Sequence, residues 1–257
     1  MGLWTELHAL TILPAFVVYI VIALIIARLV RGKSERVKYI PLQIITVMLL
    51  ILEIIKQIVS VENGVYNLYS LPFHYCSLFL YLLPFHSFYK GNHRKIVNSA
   101  AFGCLASLFF FMLVMPAVVY SDGAISGLAD NFMSFHTVVF HNLVCLYFLL
   151  VVAMKLYEFN RSLDLKVMAV FLAIYVVIAT VLSHTLEVNF HNLYRCNLAI
   201  VEDIRLQIIE AIGWAGQVIY VVVMFILTIL FAYAAYFLTQ LVLSLISRTA
   251  RKIKTRT

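Results

Sequence analysis

Residues 7–27 contain no Asp, Glu, Lys or Arg, and neither do residues 211–247. Uncharged apolar runs of this length are what a helix needs to cross about 30 Å of hydrocarbon, roughly 20 residues. The whole chain repeats the pattern. Of its 257 residues, 64% are apolar or aromatic and 12% are charged, against roughly 45–50% and 25% in an ordinary soluble domain. The 19 basic and 12 acidic side chains are too few to cover a water-soluble globule of this size. Lipid is therefore the main solvent, and no length remains for a second, soluble domain. Cys76, Cys104, Cys145 and Cys196 lie far apart without CxxC spacing, which indicates neither a disulfide framework nor a zinc knuckle.

Hydropathy and chain breaks predict an all-α polytopic membrane protein, a single seven-helix bundle over 1–257. The spans fall near 9–30, 38–60, 71–89, 97–120, 134–156, 165–186 and 211–245. The last is too long to span without tilt or overhang. The first reads as a retained anchor, because no basic region precedes it and Arg28, Arg31, Lys33, Arg36 and Lys38 follow it. With seven spans, 16 of the 19 basic residues fall in the first, third and fifth connections and the C-terminal tail. Basic residues are held on the cytoplasmic side, so the N-terminus is expected outside and the C-terminus inside, with the plasma membrane as the expected location. The net charge of +7 then belongs to a cytoplasmic collar that meets anionic headgroups, not to a nucleic-acid surface. Asn160-Arg161-Ser162 has the form of a glycosylation sequon but lies in a cytoplasmic connection. Residues 187–210 form the longest external segment, expected to be a loop or short interfacial helix over the bundle mouth.

Ionisable side chains inside lipid cost at least about 2.5–3.5 kcal/mol each at a helix centre, so their depth is informative. Glu53 and Lys56 fall in the outer half of the second span, and His74 and Cys76 near the outer start of the third. His136 and the deeper His141 lie on the fifth, His184 ends the sixth, and Glu210, Trp214 and Gln217 begin the seventh. Five spans thus bring polar groups to the outer half. The inner half offers mainly His86, Cys104 and Cys145. Glu53 and Lys56, three apart on one face, also suit a buried ion pair between helices. His136 and His184 read as solvated or headgroup-contacting, and His86, Cys104 and Cys145 as packed. The Phe and Tyr residues read as core or interface belt, and no cofactor is expected.

At three places the sequence resembles the YwaF-like integral membrane family, whose animal relative is a multi-pass acyltransferase that moves arachidonoyl chains between phospholipids. These are LEIIK at 52–56 followed by LPFHYCSLFLYLLPF at 71–85, FHNLVCLYFLLV at 140–151, and EVNFHNLYRCN at 187–197. The resemblance implies a multi-pass lipid acyltransferase with a Cys nucleophile and a His base, and together with the polar groups of the outer half it leads to the expectation of a lipid acyltransferase or acyl-ester hydrolase whose site opens to the outer leaflet. His141 falls on the family's catalytic His, and His74 on the His after the nucleophile. Where the family has Pro-Cys-His, this chain has Pro72-Phe73-His74. On a regular helix, Cys76 returns to within roughly 60° of position 73, one turn deeper, and is the candidate thiol, with His141 its better base. Asn189 and Asn192 are candidates to bind an oxyanion or headgroup, and Lys56 a phosphate or carboxylate, with Glu53 and Gln217 beside them in the pocket. Two other readings stand. One is metal-dependent hydrolysis with His74, His141, His184 and Glu53 as ligands. The other is a non-enzymatic lipid or small-molecule binding or transport protein, with the same residues as a relay.

Overall fold

The computed structural model describes residues 4–120 and 122–254, and Arg256 of the basic tail lies outside them. The described chain is helical, with ten α-helices: α1 Glu6–Leu29, α2 Glu35–Glu62, α3 Leu78–Phe88, α4 Arg94–Val114, α5 Pro116–Val119, α6 Asp122–Ser126, α7 Phe132–Ala153, α8 Arg161–Thr185, α9 Ala199–Ile212 and α10 Trp214–Lys254. Six of these, α1, α2, α4, α7, α8 and α10, are long and apolar enough to cross a membrane. α3, with 11 residues, extends only about 16 Å against the roughly 30 Å of a hydrocarbon core.

Three boundaries differ from the hydropathy reading, each for a backbone reason. The third segment was expected to be helical from residue 71, but α3 begins at Leu78 after two 3₁₀ turns, Leu68–Ser70 and Tyr75–Ser77. A residue before proline is driven out of the α region, and Leu71, before Pro72, is extended at φ −61°, ψ 139°. The rotation that would carry Cys76 back toward position 73 therefore does not apply, because the backbone there is not a regular helix. The fourth segment stops at Val114 for the same reason: Met115, before Pro116, has φ −135°, ψ 55°. The last segment does not run straight through. Gly213 at φ +63°, a conformation that costs glycine nothing, separates α9 from α10. Residues 187–210 are thus an ordered loop followed by most of α9.

Polar contacts at the helix ends fix the order of the bundle. Arg94 donates to Glu35 at 3.0 Å. Buried Asp164 accepts from Ser99 at 2.6 Å, from Tyr236 at 2.8 Å and from the Asn160 backbone N–H at 2.8 Å. The starts of α2, α4 and α8 therefore share one end. At the other end, His8 donates through Nε2 to the Tyr120 carbonyl at 2.9 Å, Glu53 meets His136 and Gln217 meets His184. α4 is the central helix. Its Ala100, Ala101, Gly103, Cys104, Ala106 and Ser107 are buried, and such small residues let neighbouring helices approach closely.

α9 folds back on the start of α10 across Gly216, where a Cβ would lie 2.9 Å from the Ile208 carbonyl. That contact is with backbone and cannot be relieved by a rotamer. Gly216→Ala is expected to cost about 1–3 kcal/mol and to loosen α9, read as a lower melting temperature and faster proteolysis between residues 196 and 213.

Candidate functional site

The end of the bundle that carries Glu53 is organised by two segments without α-helix, 63–77 and 186–198, which meet beside α2 and α8. Asn67 accepts the Tyr69 N–H at 2.9 Å, and Gln57 of α2 donates to the Ser70 carbonyl at 2.8 Å, so the first segment is tied to α2. The second is held more densely. Asn189 Oδ1 accepts the backbone N–H groups of Tyr194 and Arg195 at 3.3 and 3.1 Å, and its amide donates to Asn192 and Asn197. Fully buried Ser183 exchanges hydrogen bonds with the Phe190 N–H and carbonyl. Tyr220 donates to the Asn192 carbonyl. Three of the four non-glycine residues with positive φ in the described chain lie here: Glu187 at 55°, His191 at 52° and Asn192 at 56°. Such conformations cost about 1–3 kcal/mol each and persist only where the surroundings over-determine them.

The segments touch through aromatic rings. Phe190 packs edge-on to Phe73 at 5.8 Å and to His74 at 5.1 Å, and His191 stacks on Tyr75 at 5.2 Å. His74 donates through Nε2 to the Tyr69 carbonyl at 3.0 Å, because a carbonyl only accepts. His191 Nε2 meets Thr228 at 3.0 Å, whose hydroxyl is already donated to Met224. Burial pushes the His191 imidazole down to about 4, so it stands neutral beside His74.

Below this joint, Glu53, Lys56 and His136 form a buried charged group between α2 and α7. Glu53 Oε1 accepts from Lys56 at 2.7 Å and from Gln57 at 2.6 Å. Its other oxygen lies 3.3 Å from His136 Nε2, within ion-pair distance but without hydrogen-bond alignment. His136, read from the sequence as solvated, is 8% exposed. Cys76, partly buried, lies within electrostatic reach of Lys56 and Glu53. His141, one and a half turns deeper on α7, donates through Nδ1 to the Thr137 carbonyl at 2.6 Å. That bond leaves Nε2 of the neutral ring unprotonated. His141 lies against Tyr120 and Phe140, and among the described residues no hydrogen bond joins it to Cys76.

His184, also read as solvated, belongs to a latch between α8, α9 and α10. Its Nδ1 donates to the Thr180 carbonyl at 2.9 Å, so its Nε2 accepts from Gln217 at 3.0 Å. Gln217 also donates to the Leu193 carbonyl and accepts from Arg205. Arg205 pairs with Glu202 at 2.6 Å and holds that carboxylate below the usual range. Glu202 in turn accepts the Cys196 N–H at 2.7 Å. The polar atoms of Asn189 and Gln217 are thus spent within the loop and the latch, while Glu53, Lys56 and His136 form one cluster and His74 and Cys76 sit on the adjoining turn. His74, His141, His184 and Glu53 do not converge: no group of three or more possible His, Cys, Asp or Glu metal ligands occurs among the described residues. The metal-dependent reading therefore has no donor set here.

Sequence reasoning missed the Glu53–His136 contact and the roles of His191 and Arg205. Equal depth was the only available signal for Glu53 and His136. No periodicity could show that the left-handed turn at 191–192 drives His191 inward.

An open cleft of about 600 Å³ lies between the two segments, with Asn67, Tyr69, Glu187, Asn189, Tyr194 and Arg195 among its lining residues. A family model described as the TMEM164 family matches residues 3–236. No curated protein and no solved structure gives a match.

Proposed function

We propose, from the premise that the chain belongs to the TMEM164 family of multi-pass membrane proteins, that it is an intramembrane lipid acyltransferase or acyl-ester hydrolase working from the outer leaflet. The observation that carries this reading is the buried Glu53–Lys56–His136 group, with Cys76 on the turn within its electrostatic reach. Charge at this depth is costly and marks sites of function. In the reaction, the Cys76 thiol loses its proton to an imidazole, His141 being the assigned base, and the sulfur attacks the ester carbonyl. The C–O bond breaks, and the departing lipid alkoxide takes the proton back. The acyl thioester is then resolved by the hydroxyl of an acceptor lipid or by water, regenerating the thiol. The likeness to the YwaF-like family, with its Cys and His chemistry, supports the same assignment.

In this reading α3, with the turn before it, makes a seventh crossing, the N-terminus is outside, and the basic ends of α2, α4 and α8 face anionic headgroups at the cytoplasmic side of the plasma membrane. Partners are membrane lipids. A binding or transport reading draws support from a second polar layer toward the opposite end, where His86 bonds Tyr147 at 2.7 Å and Thr46 meets Ser87 at 3.2 Å. Leu49 and Val144, at 1% and 0% exposure, close the seam between the two layers, which favours a one-sided site.

The test is incubation of the full-length protein in nanodiscs with a phospholipid labelled in its acyl chain, with and without lysophospholipid acceptor. The expected result is label transfer or release, with a hydroxylamine-labile adduct on Cys76. Absence of both turnover and adduct across acyl donors would overturn the enzyme reading.

A further inference from the structure

The latch that ties α9 to α8 and α10 contains an imidazole whose place in it depends on being uncharged. The groups around the Gln217 amide fix which way that amide points. Arg205 presents only N–H donors, so the atom it meets at 2.7 Å is Oε1. The Leu193 and Tyr194 carbonyls, at 3.0 and 3.3 Å, only accept, so they face the amide nitrogen. The same nitrogen donates to His184 Nε2. Because Nδ1 of that ring donates to the Thr180 carbonyl, Nε2 accepts only while the ring is neutral.

A proton on Nε2 sets a second donor in front of the buried Gln217 amide nitrogen. Turning the amide over does not relieve this, because Oε1 would then face two carbonyls and the NH₂ group would face the guanidinium. Nor does a carboxylate take up the new charge. Among the described residues none lies within ion-pair distance of His184. Glu202 of α9 is held by Arg205 and by the Cys196 N–H, and Arg205 itself adds positive charge beside Gln217. From the loop, Tyr194 meets the ring edge-on, while Glu187 and Arg195 are exposed. The last two turns of α8 hold no other ionisable side chain, and neither do residues 105–114 of α4. α10 contributes Trp214, stacked on the ring at 5.8 Å. Trp214 is 66% exposed, so it offers the charged ring only the weak cation–π contact of an exposed site, less than opposed buried donors cost.

The loop under this restraint is itself strained. Glu187, His191 and Asn192 have positive φ, and such conformations persist only while their surroundings hold them. The Gln217 bonds to Leu193 and Tyr194 are part of that hold. Phe190 and His191 of the same loop cover Phe73, His74 and Tyr75.

We propose that His184 is a proton-operated latch: the neutral ring holds loop 186–198 and α9 down on the turn that carries Cys76, and the charged ring releases them. The consequence, acid-gated access of lipid to that turn, rests on the proposed acyl-transfer site, whereas the release depends on the latch alone. Protons bind the released form more tightly than the held one, so the held form weakens as pH falls.

Hydrogen exchange of the full-length protein in micelles, corrected for the intrinsic pH dependence of amide exchange, tests this from about pH 8 to pH 5, the interval in which imidazoles change charge. Protection of residues 193–212 is expected to fall roughly tenfold in the parent toward the acid end, the effect of replacing one buried hydrogen bond by opposed donors. His184→Gln carries its amide oxygen as many bonds from the backbone as Nε2 and does not titrate, so its protection is expected to stay within roughly twofold. Trp4 is the one other tryptophan. In a Trp4→Phe background the emission of Trp214 is therefore expected to change along the same titration, and to stay flat once His184→Gln is added. Parental protection or emission that does not move with pH, or the same acid response in His184→Gln, would overturn the latch. Release in a protein that transfers no acyl chain would remove the enzyme reading alone, and transfer with pH-independent protection would remove the latch alone.

Discussion

His141→Asn is expected to lower acyl transfer by roughly 10²–10⁴-fold, the usual contribution of a positioned general base, while leaving the melting temperature close to that of the parent. The choice of Asn follows from the geometry. His141 uses Nδ1 to donate to the Thr137 carbonyl at 2.6 Å, and the Asn amide nitrogen stands the same number of bonds from the backbone as Nδ1. The helix-directed hydrogen bond is kept, and only Nε2, the atom that would accept a proton, is removed. His141→Ala removes both and so mixes a folding defect with a chemical one. Formation of the Cys76 adduct is the sharper readout. If His141 is the base, adduct formation slows with overall transfer. An adduct that forms at the parental rate in His141→Asn would move the base to another imidazole, and His136, paired with Glu53, would be next in line. Transfer retained in full would show that His141 packs the seam between α7 and Tyr120 and does no chemistry.

Membrane character and the approximate positions of six spans were legible because they depend on sums over about 20 residues, and single-residue errors average out. The breaks depended instead on single residues. Pro72 and Pro116 act on the residue before them, and Gly213 carries a φ that a hydropathy window does not register. The same division applies to the candidate site. Depth along a helix put Glu53, Lys56, His74, His136 and His141 in one half of the bundle, since the rise per residue is fixed. Rotation about each helix and the path of the loops were not accessible in that way. The pairing of Glu53 with His136 joins residues on two helices, and the contacts of His191 with Tyr75 and Thr228 follow two successive left-handed residues. Asn189 and Gln217 illustrate the converse. Their residue types invited a ligand role, yet their polar atoms are consumed in holding the loop and the latch.

Glu53→Ala is expected to cost about 3–5 kcal/mol, the usual penalty for removing one partner of a buried ion pair. The Lys56 and Glu53 side chains are only 14% and 11% exposed, so the variant leaves an ammonium group with little water and no counter-charge, and takes from Gln57 its carboxylate acceptor and from His136 the neighbouring carboxylate. The loss is read from thermal or denaturant unfolding in micelles. A double variant, Glu53→Met with Lys56→Met, separates structure from function. Replacing both members of a buried pair by apolar groups of similar volume is often neutral or stabilising by about 1–4 kcal/mol, and in a bilayer the two methionines have no desolvation penalty. The double variant is therefore expected to regain stability relative to Glu53→Ala. If the pair serves only to lock α2, the double variant keeps its transfer activity. If the charges serve the chemistry beside Cys76, it folds at least as well as the parent and loses transfer. The second outcome is the expected one, because a purely structural contact between α2 and α7 at this depth is made more cheaply by the apolar packing that the same seam already uses at Leu49 and Val144.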